Sequence, residues 1–269
     1  MHKIMQQAYD YIAEASDLAD VLSNHSDQIF NLETLFKTWT INDVVGHLYL
    51  FDVAALKALE GPKVFEKFFT PIANGINDGL SFRECQHRFL GSLTHRILFE
   101  RWKKTSYTLG KAYSNADPKQ RIKWVGPEMS AMSSITARQM ETWAHGQEIY
   151  DALGIIRPEK DRIRNICHLG VATFGWSFHN RGLIVPQEQP FVCLKGPSGT
   201  VWEWNNPDTE NRVLGNALDF AQVVTQVRGI DDTTLKVKGT AAQKWMAIAQ
   251  CFAGTPENPP QKGARFIQN

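Results

Sequence analysis

Three side chains in the first half of the sequence have the types and spacing of a metal site. Glu141 and His145 are four residues apart in a segment with helical periodicity, which places their Cβ atoms about 6 Å apart on one helix face. His47 lies on another predicted helix, within an apolar stripe that faces the protein interior. Two imidazoles and one carboxylate suit a divalent ion, most of all zinc, and leave a coordination position open for water or a thiol.

Each of these residues also has a simpler interpretation. A single buried histidine such as His47 more often hydrogen-bonds to a carbonyl group than binds a metal. Glu141 and His145 on their own would form an exposed pair that contributes only a few tenths of a kcal/mol. The apolar neighbours Trp143 and Ile149 leave no wide solvent-exposed face on the helical turns that carry Glu141 and His145. A buried carboxylate without a partner is costly, which favours a shared ligand.

Two further histidines are second-choice ligands. His87 and His95 are eight residues apart and would lie on roughly the same side of one predicted helix. Each is followed by an arginine, Arg88 or Arg96, and this favours a solvated face over a metal site.

The elements that must position these residues are helices. In residues 1 to about 153 the apolar positions keep helical spacing, and breakers lie only between segments. Thr40 and Asp43 have the spacing of an N-terminal capping pair. A loop with Pro71, Gly75 and Gly79 is predicted between the second and third helices. Four long helices follow from this pattern, at about 4–22, 41–60, 82–116 and 128–153.

The second half of the chain changes character. One more helix, at about 160–178, precedes short alternating runs at 191–194 and 200–204 that predict a hairpin around the turn 196–199. A helix at 217–227, a strand at 235–238 and a helix at 241–252 follow. The predicted organisation is a helical domain over 1–155, a small α+β domain over 156–254 and a flexible tail over 255–269.

Composition excludes several classes of protein. The 29 Lys and Arg residues nearly balance 28 Asp and Glu residues, for a net charge of +1, so no field favours nucleic acid or an anionic membrane surface. The sequence has no run of 18 apolar residues, so it predicts no membrane-spanning helix. Acidic residues interrupt any leader-like segment near the start, so we expect a cytoplasmic protein. The four cysteines are far apart, which predicts reduced thiols.

Two segments around the candidate ligands carry a family resemblance. The run Trp39-Thr-Ile-Asn-Asp-Val-Val-Gly-His47-Leu resembles the signature of the DinB-like bundle domain of mycothiol-dependent maleylpyruvate isomerases. The runs at 124–130 and 137–147 are more similar still to an uncharacterised metal-binding branch of that superfamily. The resemblance implies a DinB-like four-helix bundle. It also implies a divalent metal held by the three residues that helix geometry brings forward, His47, Glu141 and His145.

The resemblance continues into the second domain. Segments at 194–204, 223–228 and 249–254 are similar to the family's small C-terminal domain, which resembles a sterol carrier protein. Arg228 matches the arginine that reaches the metal cleft in the thiol-dependent isomerases. Its other interpretation is a solvated charge at a helix end. Arg181 is a second candidate cation and His179 a candidate acid or base. Glu148 departs from the family pattern, which usually has Asp there.

The function implied is that of a metal-dependent isomerase or thiol transferase. The metal would activate a low-molecular-weight thiol, or water, for addition to a small unsaturated or electrophilic acid. Two alternatives stay open: a hydrolase or lyase that uses hydroxide with Glu148 or His179 as base, and a binding module for an apolar ligand with a structural metal. Four tryptophans are candidates for the walls of an apolar cavity, or for ordinary core: Trp39, Trp124, Trp143 and Trp176.

Overall fold

The computed structural model describes residues 5–266 of the 269-residue chain. The chain divides into two compact units, Met1–Ala152 and Leu153–Asn269, here called the N-terminal and C-terminal units. The predicted start of the first helix at Ile4 and the last three residues of the predicted tail lie outside the described residues. No helix in the described part of the chain has the length and apolar character needed to cross a membrane.

The N-terminal unit is built on four long helices. Helix α1 packs against α5 and α6, and α2 packs against the same two helices, so the four enclose one core. Two shorter helices, α3 and α4, pack against α2, and a two-stranded antiparallel pair, β1 and β2, precedes α6. The bounds are α1 Gln6–Ser23, α2 Ile41–Glu60, α3 Pro62–Asn77, α4 Phe82–Leu90, α5 His95–Ser114, β1 Arg121–Ile122, β2 Met129–Ser130 and α6 Ala131–Ala152.

The start of α2 follows from its sequence. The Thr40 hydroxyl accepts the Asp43 N–H at 3.1 Å, and the Asp43 carboxylate accepts the Thr40 N–H at 3.0 Å. This reciprocal capping satisfies two N–H groups that a helix start otherwise leaves unpaired. The predicted capping pair is confirmed, and it fixes where His47 falls along the helix.

Two predictions about this unit were wrong. The segment expected as a loop around Pro71 is α3. Pro62 occupies its first position, where a missing N–H costs nothing, and burial of Phe65 and Ile72 on one face stabilises the helix despite the internal Pro71. The expected third helix is two helices, α4 and α5. Gly91 ends α4 with a φ of +56°, a left-handed conformation that glycine adopts without strain.

The C-terminal unit is a small α+β domain. Its sheet has the order β4-β3-β5-β6, with β3 antiparallel to β4, parallel to β5, and β5 antiparallel to β6. Trp245 packs between the rings of Phe174 and Phe220 in its core. The bounds are α7 Arg164–Ala172, α8 Phe174–His179, β3 Phe191–Lys195, β4 Val201–Trp204, β5 Arg212–Asn216, α9 Ala217–Val224, β6 Lys236–Lys238 and α10 Thr240–Ile248.

The predicted hairpin and the α+β character of this unit are present. Strand β5 was missed, because its five residues include only one fully buried side chain, Val213, and give no clear alternation. The single helix expected at 160–178 is divided into α7 and α8 at Thr173.

The segment after residue 254 is tied to the body of the C-terminal unit. The Gln226 side chain donates to the carbonyls of Ala249 and Glu257, both at 2.9 Å. The Glu257 N–H donates to Gln250 Oε1 at 3.0 Å. Two buried glutamines thus find some of their partners in this segment, and the flexibility of the tail at 255–269 stays a prediction.

Candidate metal centre

The packing of α2 against α6 brings the three predicted ligands together. His47 Nε2 lies 3.3 Å from Glu141 Oε2, and His145 Nε2 lies 3.4 Å from the same oxygen. The centroids of the two imidazole rings are 4.6 Å apart. The three donor atoms all lie within 4.8 Å of one another, and no other such group of His, Cys, Asp or Glu occurs among residues 5–266.

These separations fit a small tetrahedral ion. Bonds of about 2.0–2.1 Å from zinc to nitrogen or oxygen imply distances of roughly 3.3 Å between neighbouring ligand atoms. Two of the three pairs already have that spacing. The fit is incomplete at one atom: Nδ1 of His47 is buried and has no hydrogen-bond partner among the described residues, whereas metal-bound histidines usually donate from their second nitrogen.

The electrostatics favour the protonation states that a metal needs. Burial lowers the pKa of His47 from 6.5 to about 4, so its ring is neutral at pH 7. Burial alone would raise the pKa of Glu141, but hydrogen bonding from His145 and His47 outweighs it and holds that pKa well below its ordinary value. The cluster therefore combines a neutral imidazole with a charged carboxylate. Its side chains are 12–24 % exposed, which leaves room for a ligand to approach.

Aromatic rings surround the two histidines. The Trp39 ring lies parallel to His145, with 6.2 Å between centroids, and Phe36 meets the same imidazole edge-on at 5.1 Å. Phe51 and Phe82 lie 4.8 and 5.7 Å from the His47 ring. Sequence reasoning identified Trp39 as a candidate wall residue. Phe51 follows His47 by four residues, and this spacing places it on the same helix face. No local sequence pattern predicts that Phe36 and Phe82 lie near the histidines.

The other tryptophans have different positions. Trp124 contacts Phe51, with 5.9 Å between centroids, and so lies one ring further from the histidines. Trp143 is buried, and Trp176 lies in the C-terminal unit, where its indole N–H donates to the Phe252 carbonyl at 3.2 Å.

The second-choice histidines are not part of the cluster. They lie on separate helices, since His87 is in α4 and His95 begins α5, so the expectation of one shared helix was wrong. His87 Nε2 is 2.6 Å from the Asp43 carboxylate, and His95 Nε2 is 3.1 Å from the Asn31 side-chain oxygen. Both rings therefore have polar partners outside the candidate site.

The predicted catalytic residues of the C-terminal unit have their own local contacts. Arg228 is only 5 % exposed, donates to the Val227 carbonyl at 3.1 Å and lies 4.5 Å from the centre of the Phe266 ring. Its interpretation as a solvated charge is therefore wrong. Arg181 donates to Asn258 and to the Glu257 carbonyl, so it holds the chain after α10.

Two predicted acid or base residues differ in burial. His179 is exposed at the end of α8. Glu148 is buried in α6 and lies outside the group of three donors. For both residues, and for Arg228, a part in catalysis stays a prediction.

Two surface depressions lie away from the three donors. One, of about 370 Å³, lies between α1 and α5 and is lined by Ile12, Ala19 and Tyr107 among others. The other, of about 240 Å³, lies beside β3 and α9 and is lined by Lys195 and Asn216 among others. Neither contains a histidine or a cysteine, so neither offers the donor chemistry of the cluster.

Comparison with known proteins extends over most of the chain. The family described as mycothiol maleylpyruvate isomerase N-terminal domain matches residues 12–150. Two proteins described as uncharacterized, from two strains of Mycobacterium tuberculosis, are each 37 % identical over 247 residues, which cover 92 % of this chain and 95 % of theirs.

Two solved structures have a similar fold. A crystal structure of the mycothiol-dependent maleylpyruvate isomerase, and one of a mutant of that enzyme, each superpose with a TM-score of 0.56 at 15 % identity. Each match covers 86 % of this chain and 92 % of the other. The similarity of fold therefore includes both units.

Proposed function

This chain belongs to the mycothiol maleylpyruvate isomerase N-terminal domain family, and from that premise we propose that it is a metal-dependent enzyme that uses a small thiol. The proposed ligands are His47 on α2 and Glu141 and His145 on α6. The proposed reaction is the addition of a low-molecular-weight thiol to a small unsaturated or electrophilic acid. Reversible addition would isomerise the acid, and lasting addition would transfer the thiol.

The observation that carries the proposal is the convergence of three donor atoms within 4.8 Å from two separate helices. A hydrogen-bonded core histidine needs one acceptor, whereas here two imidazoles share a single carboxylate oxygen. The arrangement leaves coordination positions for an exogenous ligand, as catalytic sites do. A divalent ion held there would supply a lowered pKa for a coordinated thiol or water.

The surrounding residues support this chemistry in two ways. Burial keeps His47 neutral, so its lone pair is free for a ligand bond at physiological pH. The rings of Trp39 and Phe51 exclude water from one side of each histidine, which lowers the local dielectric and strengthens electrostatic interactions in the site. No protein cysteine belongs to the cluster within the described residues, so the thiol in this proposal is a cosubstrate.

A cation for the substrate carboxylate completes the proposal. We assign this part to Arg228, because it matches the arginine of the thiol-dependent isomerases and keeps a rigid planar donor group suited to carboxylates. Arg181, which bonds Asn258 and the Glu257 carbonyl, is the second candidate, because the resemblance does not match it to that arginine. The thiol to test first is mycothiol, which the family name contains and on which the enzyme of the similar solved structure is described as dependent.

The test combines metal analysis with a substrate screen. Purified protein is analysed for metals, stripped with a chelator and reloaded with zinc, and each form is assayed with mycothiol or another small thiol and maleylpyruvate or a related unsaturated acid. We expect turnover that requires both metal and thiol. Turnover that survives complete metal removal would contradict the proposal, and turnover without any thiol would favour the hydrolase or lyase alternative.

A further inference from the structure

A buried ion pair crosses from α6 to α2 one turn away from the candidate ligands. Arg138 precedes Glu141 by three residues and His145 by seven, so the three side chains follow one face of α6. Arg138 is 2 % exposed and Asp52 is fully buried. Arg138 Nε donates to Asp52 Oδ1 at 3.0 Å.

The same guanidinium makes a second bond to α2. Arg138 Nη2 donates to the carbonyl of Leu48, the residue after His47, at 3.3 Å. Its central carbon lies 5.8 Å from the centre of the Phe51 ring, which in turn contacts the His47 ring. A planar fork that bonds two points of another helix fixes both the separation of the two helices and their register along the axis.

Asp52 is also surrounded by the other two long helices. Its Oδ2 atom, the Tyr11 hydroxyl on α1 and the Trp102 indole N–H on α5 are all buried without a partner in ordinary hydrogen-bond geometry among the described residues. Burial raises the pKa of Asp52, while Arg138, Tyr11 and Trp102 each act to lower it. All four long helices therefore contribute a polar group at this point.

The Arg138–Asp52 pair also affects the net charge next to the candidate metal centre. A buried cation near a site for a divalent ion weakens binding of that ion unless an anion compensates it. Arg138 is close enough to Glu141 and His47 to act on both: the charge of Glu141 helps to raise the pKa of Arg138, and Arg138 helps to lower that of His47. Asp52 supplies the compensating charge within hydrogen-bond distance.

We infer that Arg138 and Asp52 are a positioning pair for the metal centre: their bonds hold α2 and α6 at the spacing and register that bring His47 to Glu141 and His145. This inference rests on the proposed function, because it needs a metal at that centre. It assigns neither residue to the ligand set or to contact with substrate.

The decisive variant removes both charges. Breaking one partner of a buried pair leaves an uncompensated charge and destabilises the fold, whereas replacing both by apolar residues of similar size is often tolerated. We therefore compare the wild-type protein with the double variant Arg138→Met, Asp52→Leu. The control is Arg96→Met, which removes another arginine that bonds an aspartate, Asp27, and main-chain carbonyls, but at the start of α5 near residues 22–27.

Zinc affinity is measured by competition with a chelator, and the cobalt-loaded proteins are compared by their visible absorption, which reports ligand geometry. We expect the double variant to stay folded by circular dichroism, to lose about 10- to 100-fold in zinc affinity, as outer partners of metal sites do, and to show an altered cobalt spectrum. Arg96→Met should match the wild type in both.

Wild-type affinity and spectrum in the double variant would overturn the inference and leave the proposed function intact. Absence of metal binding by the wild type would overturn both. If the double variant does not fold, Arg138→Lys decides: lysine keeps the charge but cannot bond Asp52 and the Leu48 carbonyl with one fork, so we expect a several-fold lower zinc affinity. Unchanged affinity in that variant would overturn the inference.

Discussion

Buried and partly buried polar side chains serve different purposes in the two units of this protein. In the C-terminal unit Gln226 and Gln250 bond to main-chain groups of residues 249–257 and so fix the path of the chain. In the N-terminal unit His47, Glu141 and His145 face one another instead of the main chain. The two glutamines, which are engaged with the backbone, therefore organise the fold, whereas three donor side chains that converge on one oxygen form a candidate ligand site.

The largest effect that tests this contrast is loss of metal. His47→Ala, Glu141→Ala and His145→Ala should each lower zinc affinity by at least about 100-fold, more than loss of an outer partner costs. The physical reason is that each variant removes one of the three donors that the described residues bring together. Elemental analysis and chelator competition measure the effect, and circular dichroism checks the fold.

The matched control for the metal prediction is His95→Ala. That histidine is paired with Asn31 outside the cluster, so its removal should leave zinc stoichiometry unchanged. If all three cluster variants retain the wild-type stoichiometry, the proposed site is misplaced.

The second effect concerns Arg228 and tests whether a buried polar group of the C-terminal unit has a chemical role as well as a structural one. Arg228→Ala should lower kcat/KM on the true substrate by about 10- to 100-fold. This is the loss that corresponds to the free energy of one hydrogen bond to a charged group. Zinc affinity should be unchanged. The control is Arg212→Ala, which removes another arginine of the C-terminal unit, one that bonds the carbonyls of Thr209 and Pro207 and is no candidate for the substrate carboxylate. Wild-type kinetics in Arg228→Ala would remove this arginine from the mechanism.

The smallest effect is a pH dependence of stability in the metal-free protein. The pKa of His47 is lowered from 6.5 to about 4, so the folded state binds fewer protons than the unfolded state between these values. Stability is therefore full above pH 6.5 and falls as the pH drops towards 4. Between pH 7.5 and 5 we expect a loss of about 1–2 kcal/mol in the free energy of unfolding.

Urea denaturation at the two pH values measures this loss. His47→Gln removes the titrating ring and should show a correspondingly smaller difference. The Glu141 carboxyl also has a lowered pKa, but its contribution is lost only below its ordinary value of 4.5, outside the measured range. Equal pH dependence in the variant and the wild type would contradict the burial of a neutral imidazole at position 47.

Much of the N-terminal unit follows from local patterns. The capping pair of Thr40 and Asp43 predicts where α2 begins, because both partners lie within one turn. The spacing of Glu141 and His145 places both donors on one face for the same reason. By contrast, Gly91 ends α4 through a left-handed φ, and helical periodicity on both sides of it concealed the break.

Contacts between residues that are far apart in the sequence could not be predicted from such local patterns. Strand β5 is defined by its parallel partner β3 more than by its own five residues. The bond from Arg138 to Asp52 joins residues 86 positions apart. No pattern in either segment indicates that the other segment holds its partner. Likewise, Phe82 begins a helix of its own yet contacts the His47 ring.

Local sequence patterns were enough to predict most of the long helices, the faces that carry the candidate ligands and the chemical type of the three donors, because these properties depend on residues within a few turns of one another. The packing of α2 against α6 is what brings Nε2 of His47 to 3.3 Å from Glu141 Oε2. That distance depends on the packing of whole helices and on buried contacts between them, which no local spacing encodes.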